Sequence, residues 1–208
     1  MYIASDDPAY RTSLFNSIVA PRPIGWVSTV DRDGNANLAP FSYFNGISAT
    51  PPMVMFANNA PDDRLEKDSL ANVRATGEFC VNLASYALRE AMILSSATVP
   101  HGVDEFELAG LTKSSCELVR CPRVQESPAV LECHLIRIVD FPPQKAGDRA
   151  SGVVFGRVVA VHISDDYLDG EGHFDVLKAQ TIARLGGLNY LRVTELFHLD
   201  RPKKTSIS

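Results

Sequence analysis

Three stretches of this 208-residue chain gather the groups able to bind or react with a small molecule. Ser28 and Thr29 place two small hydroxyls beside Val30 in an otherwise apolar run. Ser42, Tyr43, Phe44, Asn45 and Ser48 mix rings with short polar side chains and carry no charge. Hydroxyls and amides both donate and accept, so such a surface suits a flat ligand with polar edges better than it suits proton abstraction. The competing reading makes the two hydroxyls the solvent side of a strand, the rings core and the short polar residues turn formers. Lys67-Asp68-Ser69 opens what reads as a helix. A helix N-terminus offers free N–H groups and partial positive charge, and Lys67 adds a full one, which together favour a phosphate. Asp68 complicates this, because a capping carboxylate occupies those donors and repels an anion. Either Lys67 and Ser69 serve the anion while Asp68 turns away, or the element is a plain capped helix. Arg184 precedes Gly186-Gly187 and Tyr190, where an arginine commonly complements the end of a helix.

No residue is assigned a catalytic role. The chain has no nucleophile–histidine–acid motif, its four cysteines (80, 116, 121 and 133) form no C-x-x-C pair, and its five histidines lack ligand spacing, so no metal site is expected. Cys80 and Cys133 lie in apolar runs, as core thiols do. His101 and the acidic stretch from Asp104 to Glu107 read as loop and solvated surface.

The elements that must position these residues are mostly strands. Asp7 reads as a cap with Pro8 at the first helical position, and Leu14, Phe15 and Ile18 as one apolar helix face. Asp33-Gly34 is a hairpin signal between runs 24–30 and 38–44, and Pro40 places the second run at an edge, a bulge or a loop mouth. Residues 53–57 read as a buried strand, a helix from Asp68 or Ser69 stops at Gly77, and 79–83 alternate as a strand. Ser85 is placed to cap a helix reaching Leu94. Strand-like runs follow at 112–120, 129–141 and 152–163, then a short helix over 176–185 and a last strand over 190–199.

Composition excludes several function classes. A hydrophobic fraction of 45% and a charged fraction of 22% are those of an ordinary globule. A net charge of −5, with no basic cluster before the tail, argues against a nucleic-acid surface. No apolar run approaches the roughly 18 residues of a membrane span. The N-terminus is acidic where a signal peptide would be basic, so the cytoplasm is the expected location.

Read in order, PRPIGWVST (21–29), GNANLAPFSYFNGISATPP (34–52), KDSLANV (67–73), EFCVNL (78–83), GVDEFELAGL (102–111), ESPAVLEC (126–133) and RLGGLNY (184–190) resemble the flavin reductase-like, FMN-binding split-barrel family, of flavin reductase and flavoredoxin type. The resemblance implies a mainly β fold, a split β-barrel with a few peripheral α-helices. Residues 1–20 would form a helical extension, 21–199 the single domain and 200–208 a flexible tail. It implies FMN rather than FAD as cofactor, held by Ser28, Thr29, Val30, Ser42, Tyr43, Phe44, Asn45, Ser48, Lys67, Asp68, Ser69 and Arg184. It further implies an NAD(P)H:flavin oxidoreductase that moves a hydride to flavin and passes electrons to a flavin or redox-protein acceptor, as a homodimer. The alternatives are an FMN-carrying electron-transfer protein and a flavin-binding barrel without turnover. The chain has no G-x-G-x-x-G, so a nicotinamide would bind without a Rossmann unit.

Overall fold

The computed structural model describes residues 2–7, 9–61, 66–146 and 148–202. Its strands are β1 (Arg22–Pro23), β2 (Gly25–Val30), β3 (Ala36–Phe41), β4 (Phe44–Ala49), β5 (Pro52–Asn59), β6 (Glu78–Leu83), β7 (Lys113–Ser114), β8 (Arg123–Val124), β9 (Ala129–Phe141), β10 (Ser151–Ile163), β11 (Ile182–Arg184) and β12 (Tyr190–Arg192). Its helices are α1 (Thr12–Ile18), α2 (Asp68–Thr76), α3 (Arg89–Leu94), α4 (Glu105–Leu108) and α5 (Val176–Ala179).

Among the described residues, seven strands form one antiparallel sheet in the order β3-β2-β6-β9-β10-β5-β4. β3 and β4 are consecutive in the chain yet stand at opposite edges of this sheet, joined only through Ser42 and Tyr43. A link that short spans about 11 Å at most. The sheet must therefore roll until its edges nearly meet, which makes a barrel split between β3 and β4. This is the expected mainly β split barrel. Pro40 is tolerated because β3 is an edge strand. The β2–β3 hairpin pairs Gly25 with Phe41 through to Val30 with Ala36, and Gly34 turns it at φ 91°.

Val27, Phe41, Phe56, Phe79 and Val154 fill the barrel, and α2 plugs it with Leu70 and Val73. The rings of Phe41 and Phe56 lie 4.9 Å apart, and Phe79 meets Phe56 edge-on at 5.4 Å. Gly156 makes room for this stack: a Cβ there would lie 2.2 Å from Phe79 Cζ. A second apolar cluster, with Trp26, Leu38, Met92 and Phe106, packs α3 and α4 on the outside of β2 and β3. Covered on both faces, β2 is buried along its whole length.

Five expected elements differ. The run 112–120 holds only the two-residue strand β7 and then an irregular segment that lasts until β8, because Glu78 and Glu132 take the N–H groups of Glu117, Leu118 and Arg120 that a ladder would use. The run 176–185 is a helix only as far as Ala179, where Gln180 turns left-handed at φ 48°, and β11 then pairs with β1 and β12. The last strand stops at Arg192, leaving Leu196, Phe197 and Leu199 exposed. α3 starts at Arg89 rather than at a Ser85 cap. At the N-terminus the Asp7 carboxylate accepts from Ala9 N–H in a turn, and α1, starting later at Thr12, buries none of its residues. Pro8 and residues 203–208 of the expected tail lie outside the described residues. Among the described residues no helix is long and apolar enough to cross a membrane.

Candidate functional site

Two cavities open beside the split and share Pro40 and Ser96 as common wall. The smaller, of about 100 Å³, is built on the start of α2 and lined by Lys67, Asp68, Ser69 and Glu105. The larger, of about 640 Å³, lies under the β3–β4 link and is lined by Ile24, Arg22, Ser42, Tyr43, Arg184 and Tyr190, among others. A volume of that size is in the range of small-molecule sites.

The chain enters α2 through Lys67 in extended conformation (φ −76°, ψ 153°), and no side chain caps the first turn. The Lys67 ammonium lies 5.2 Å over the Phe41 ring, and burial pulls its pKa below the ordinary lysine value. Among the described residues no carboxylate pairs with it. Asp68 turns from the helix axis toward His101, whose Nδ1 is 3.1 Å from its Oδ1. Ser69 is buried and donates to Asn37 Oδ1 at 2.7 Å, so its hydroxyl proton is engaged inside the protein.

Behind this wall runs a buried polar network. Asn37 donates to both oxygens of Glu105 at 2.9 and 3.0 Å, and the N–H of Leu38 donates to Glu105 as well. Thr29 donates to Asn37 and accepts from Asn72. Burial raises the pKa of Glu105 above the usual carboxylate value, opposed by the donors from Leu38 and Asn37 and reinforced by the charge of Asp68. The expectation of a solvated surface is thus corrected at Glu105, which is buried. The fully buried Phe106 draws α4 against the barrel and carries its neighbour inward.

At the larger cavity, Tyr43 donates its hydroxyl to Asn16 Oδ1 at 2.8 Å, fastening the β3–β4 link to α1. Arg22 is buried, lies over the Tyr43 ring, and donates through its Nη atoms to the carbonyls of Asn16, Val19 and Leu185. Its Nε is buried and has no partner. Arg184 stacks on Tyr190 at 4.4 Å and bonds to the Tyr190 hydroxyl and the Gly187 carbonyl. It sits in β11 and not in the last turn of a helix.

The adjoining cavities therefore gather Ser42, Tyr43, Lys67, Asp68, Ser69 and Arg184. They do not gather Ser28, Thr29 or Val30. Ser28 donates to the Pro122 carbonyl at 2.6 Å and accepts from Asn82, Thr29 belongs to the buried network, and Val30 packs with Cys80 and Val130. The strand-surface reading does not describe these side chains, because both faces of β2 are covered. Phe44 packs against the core and over Gly25, while Asn45 is exposed and Ser48 half-exposed on edge strand β4. None of the three lines either cavity. The site also includes residues that sequence reasoning passed over: Arg22, Asn16, Asn37 and Glu105. A signal existed for Arg22, a charge held between two prolines immediately before a buried strand. Asn37 and Glu105 meet 68 residues apart in the chain, and nothing local announces the pair.

The cavities test well against a flavin phosphate on their own chemistry. The smaller offers a desolvated cation without an anion, at an uncapped helix start. The larger offers a buried arginine donor without an acceptor. Two carboxylates face the small cavity, but one is occupied with His101 and burial favours the protonated form of the other.

Residues 18–178 match the flavin reductase like domain family. An uncharacterized protein of Aquifex aeolicus is 37% identical over 186 residues, covering 89% of this chain and 90% of its own. Among solved structures, nitrilotriacetate monooxygenase component B from Bacillus cereus superposes with a TM-score of 0.84 at 29% identity, covering 96% of this chain and 100% of its own. The 2-nitrobenzoate 2-nitroreductase NbaA of Pseudomonas fluorescens superposes with a TM-score of 0.83 at 29% identity, covering 97% of this chain and 96% of its own.

Proposed function

The chain belongs to the flavin reductase like domain family, and from that premise we propose that it is an FMN-dependent oxidoreductase taking a hydride from NADH or NADPH and passing electrons onward. The observation that carries the reading is the pair of adjoining cavities, with a lysine that pairs with no carboxylate among the described residues at one end and two arginines at the other. When bound, FMN supplies a ring that accepts a hydride and gives its electrons up again.

The protein's part is to bind, orient and keep the site dry, which needs no acid–base triad. Lys67 neutralises phosphate charge at the start of α2, where N–H groups add partial positive charge. Asp68, held by His101, leaves that position clear. Pro40 and Ser96, common to both cavities, form the wall along which an extended ligand passes from one to the other. Ser42 and Tyr43 present the ring-sized space under the split, and the hydroxyl bond to Asn16 fixes the Tyr43 ring there. Arg22 and Arg184 both line that cavity and add positive charge to it. The 29% identity to a monooxygenase component supports an acceptor that is itself an oxygenase or a free flavin, and the enzyme proposed here works as a homodimer in the cytoplasm.

Anaerobic stopped-flow mixing of the FMN-loaded protein with NADH, and separately with NADPH, tests the reading. Loss of the flavin band with at least one nucleotide supports a reductase. A protein that binds FMN and is reduced by neither is an electron carrier instead.

A further inference from the structure

Outside the lining of the two cavities, β6 and the segment between β7 and β8 carry a cluster of thiols that the proposed activity does not use. Cys80 of β6 is fully buried, and its sulfur is 3.2 Å from that of Cys116 and 3.2 Å from that of Cys121. Cys116 and Cys121 lie on the irregular segment between β7 and β8, and none of the three lines either cavity. All are free thiols. A disulfide needs sulfurs about 2.05 Å apart, so Cys116 and Cys80 have about 1 Å left to travel.

The segment is fastened so that this proximity holds. The buried carboxylate of Glu132 accepts from the N–H of Glu117 at 3.0 Å and of Leu118 at 2.6 Å, immediately after Cys116. Glu78 accepts from the N–H and Nε of Arg120, immediately before Cys121. Both acids belong to strands β9 and β6, which pair with one another at Cys80 and Glu132. The loop is thus pinned to the sheet on either side of the sulfurs.

The three thiols are not equivalent. Cys80 and Cys121 are fully buried, whereas Cys116 is half-buried and the one an aqueous oxidant reaches. Hydrogen bonding with the Cys80 thiol holds Cys116 below the ordinary thiol value, with help from Arg123 and against burial, Glu132 and Glu117. The same bonds to Cys116 and Cys121, with burial, push Cys80 up. An accessible thiol whose deprotonation is favoured, 3.2 Å from a buried thiol that keeps its proton longer, is the arrangement of a peroxide-reactive cysteine with its resolving partner.

We propose that Cys116 and Cys80 form a reversible, hydroperoxide-driven disulfide. The Cys116 thiolate attacks one oxygen of the hydroperoxide; a sulfur–oxygen bond forms, the oxygen–oxygen bond breaks, and the leaving oxygen takes up a proton. The Cys80 sulfur then attacks the Cys116 sulfenic acid; the sulfur–sulfur bond forms, the sulfur–oxygen bond breaks, and water leaves with the Cys80 proton. With hydrogen peroxide the sum is two thiols and one peroxide giving one disulfide and two waters, the sulfurs losing two electrons and the peroxide gaining them. In a reducing compartment such a pair rests as thiols until the oxidant appears.

The test is peptide mapping of the full chain after treatment with hydrogen peroxide and alkylation of the remaining thiols. Arg74, Lys113, Arg120, Arg123 and Arg137 separate the four cysteines, so trypsin puts each on its own peptide. The expected product is the Cys80 peptide joined to the Cys116 peptide, two hydrogens lighter than the pair and released by dithiothreitol. In Cys116→Ser, which keeps the size of the side chain, the remaining thiols stay alkylatable at the same dose. Cys116 recovered as sulfinic or sulfonic acid without a crosslink, a crosslink that excludes Cys80 or Cys116, thiols left unchanged, or a disulfide forming as readily in Cys116→Ser would each overturn the proposal. The wild-type map decides the pairing even if the variant folds poorly.

Discussion

Replacing Lys67 by alanine isolates the phosphate end of the site. Two unit charges about 4 Å apart attract by about 4 kcal/mol at the effective dielectric of a protein surface near 20. Part of this is returned as lost hydration, and charge-assisted hydrogen bonds contribute about 1.5–3 kcal/mol net. Lys67 is already half-buried, with its pKa lowered by that burial, so some desolvation is met before the ligand arrives. At about 1.4 kcal/mol per decade, Lys67→Ala should weaken FMN binding by about 10-fold to about 150-fold. Fluorescence-quenching titrations with FMN and with riboflavin separate this from general damage, because riboflavin lacks the phosphate and should bind wild type and variant alike. The effect carries a pH signature. FMN affinity of the wild type should fall as the ammonium deprotonates, in a range below the ordinary value of 10.5, and Lys67→Ala should lack that step. Unchanged FMN affinity, or an equal loss for riboflavin, would refute the assignment of Lys67 to the phosphate.

Two further outcomes follow from the buried network. Thr29→Ala strands the Asn72 amide and should cost about 1–3 kcal/mol in urea unfolding while leaving FMN affinity unchanged; a loss of affinity without loss of stability would return Thr29 to the site. Glu105 has a folded-state pKa raised above the ordinary 4.5, so the folded protein holds its proton longer than the unfolded chain. Its contribution is complete below pH 4.5 and is lost as pH rises through the folded value, so stability curves of the wild type should fall relative to Glu105→Gln over that window. Parallel curves would show that Glu105 titrates alike in the folded and unfolded chain and would overturn the raised folded-state value.

Much of the barrel was legible because its signals are local. Alternation drew β9 at residues 129–141, Asp33-Gly34 drew the hairpin, and Gly77 ended α2 at φ 74° as a left-handed stop. Elements that depend on distant partners were not. The run 176–185 looks helical until Ile182 is seen to bury itself in a small sheet whose other strands are Arg22–Pro23 and Tyr190–Arg192. At the site, Lys67, Ser42 and Arg184 could be named from motif and type. The burial of Ser28 and Thr29 could not, since it follows from the β7–β8 segment covering the face of β2 that carries Ser28 and from α2 covering the face that carries Thr29. Short hydroxyl side chains carry no mark of which face of a strand they occupy, and burial on both faces removes the alternation that would tell.

The absorption spectrum of the purified protein, recorded after addition of FMN and desalting, tests the central claim most directly. The cavities described here predict flavin bands near ~450 nm that stay with the protein. A desalted protein without those bands, and without any shift or quenching on titration with FMN or FAD, would contradict it and leave the two cavities as features of a shared fold.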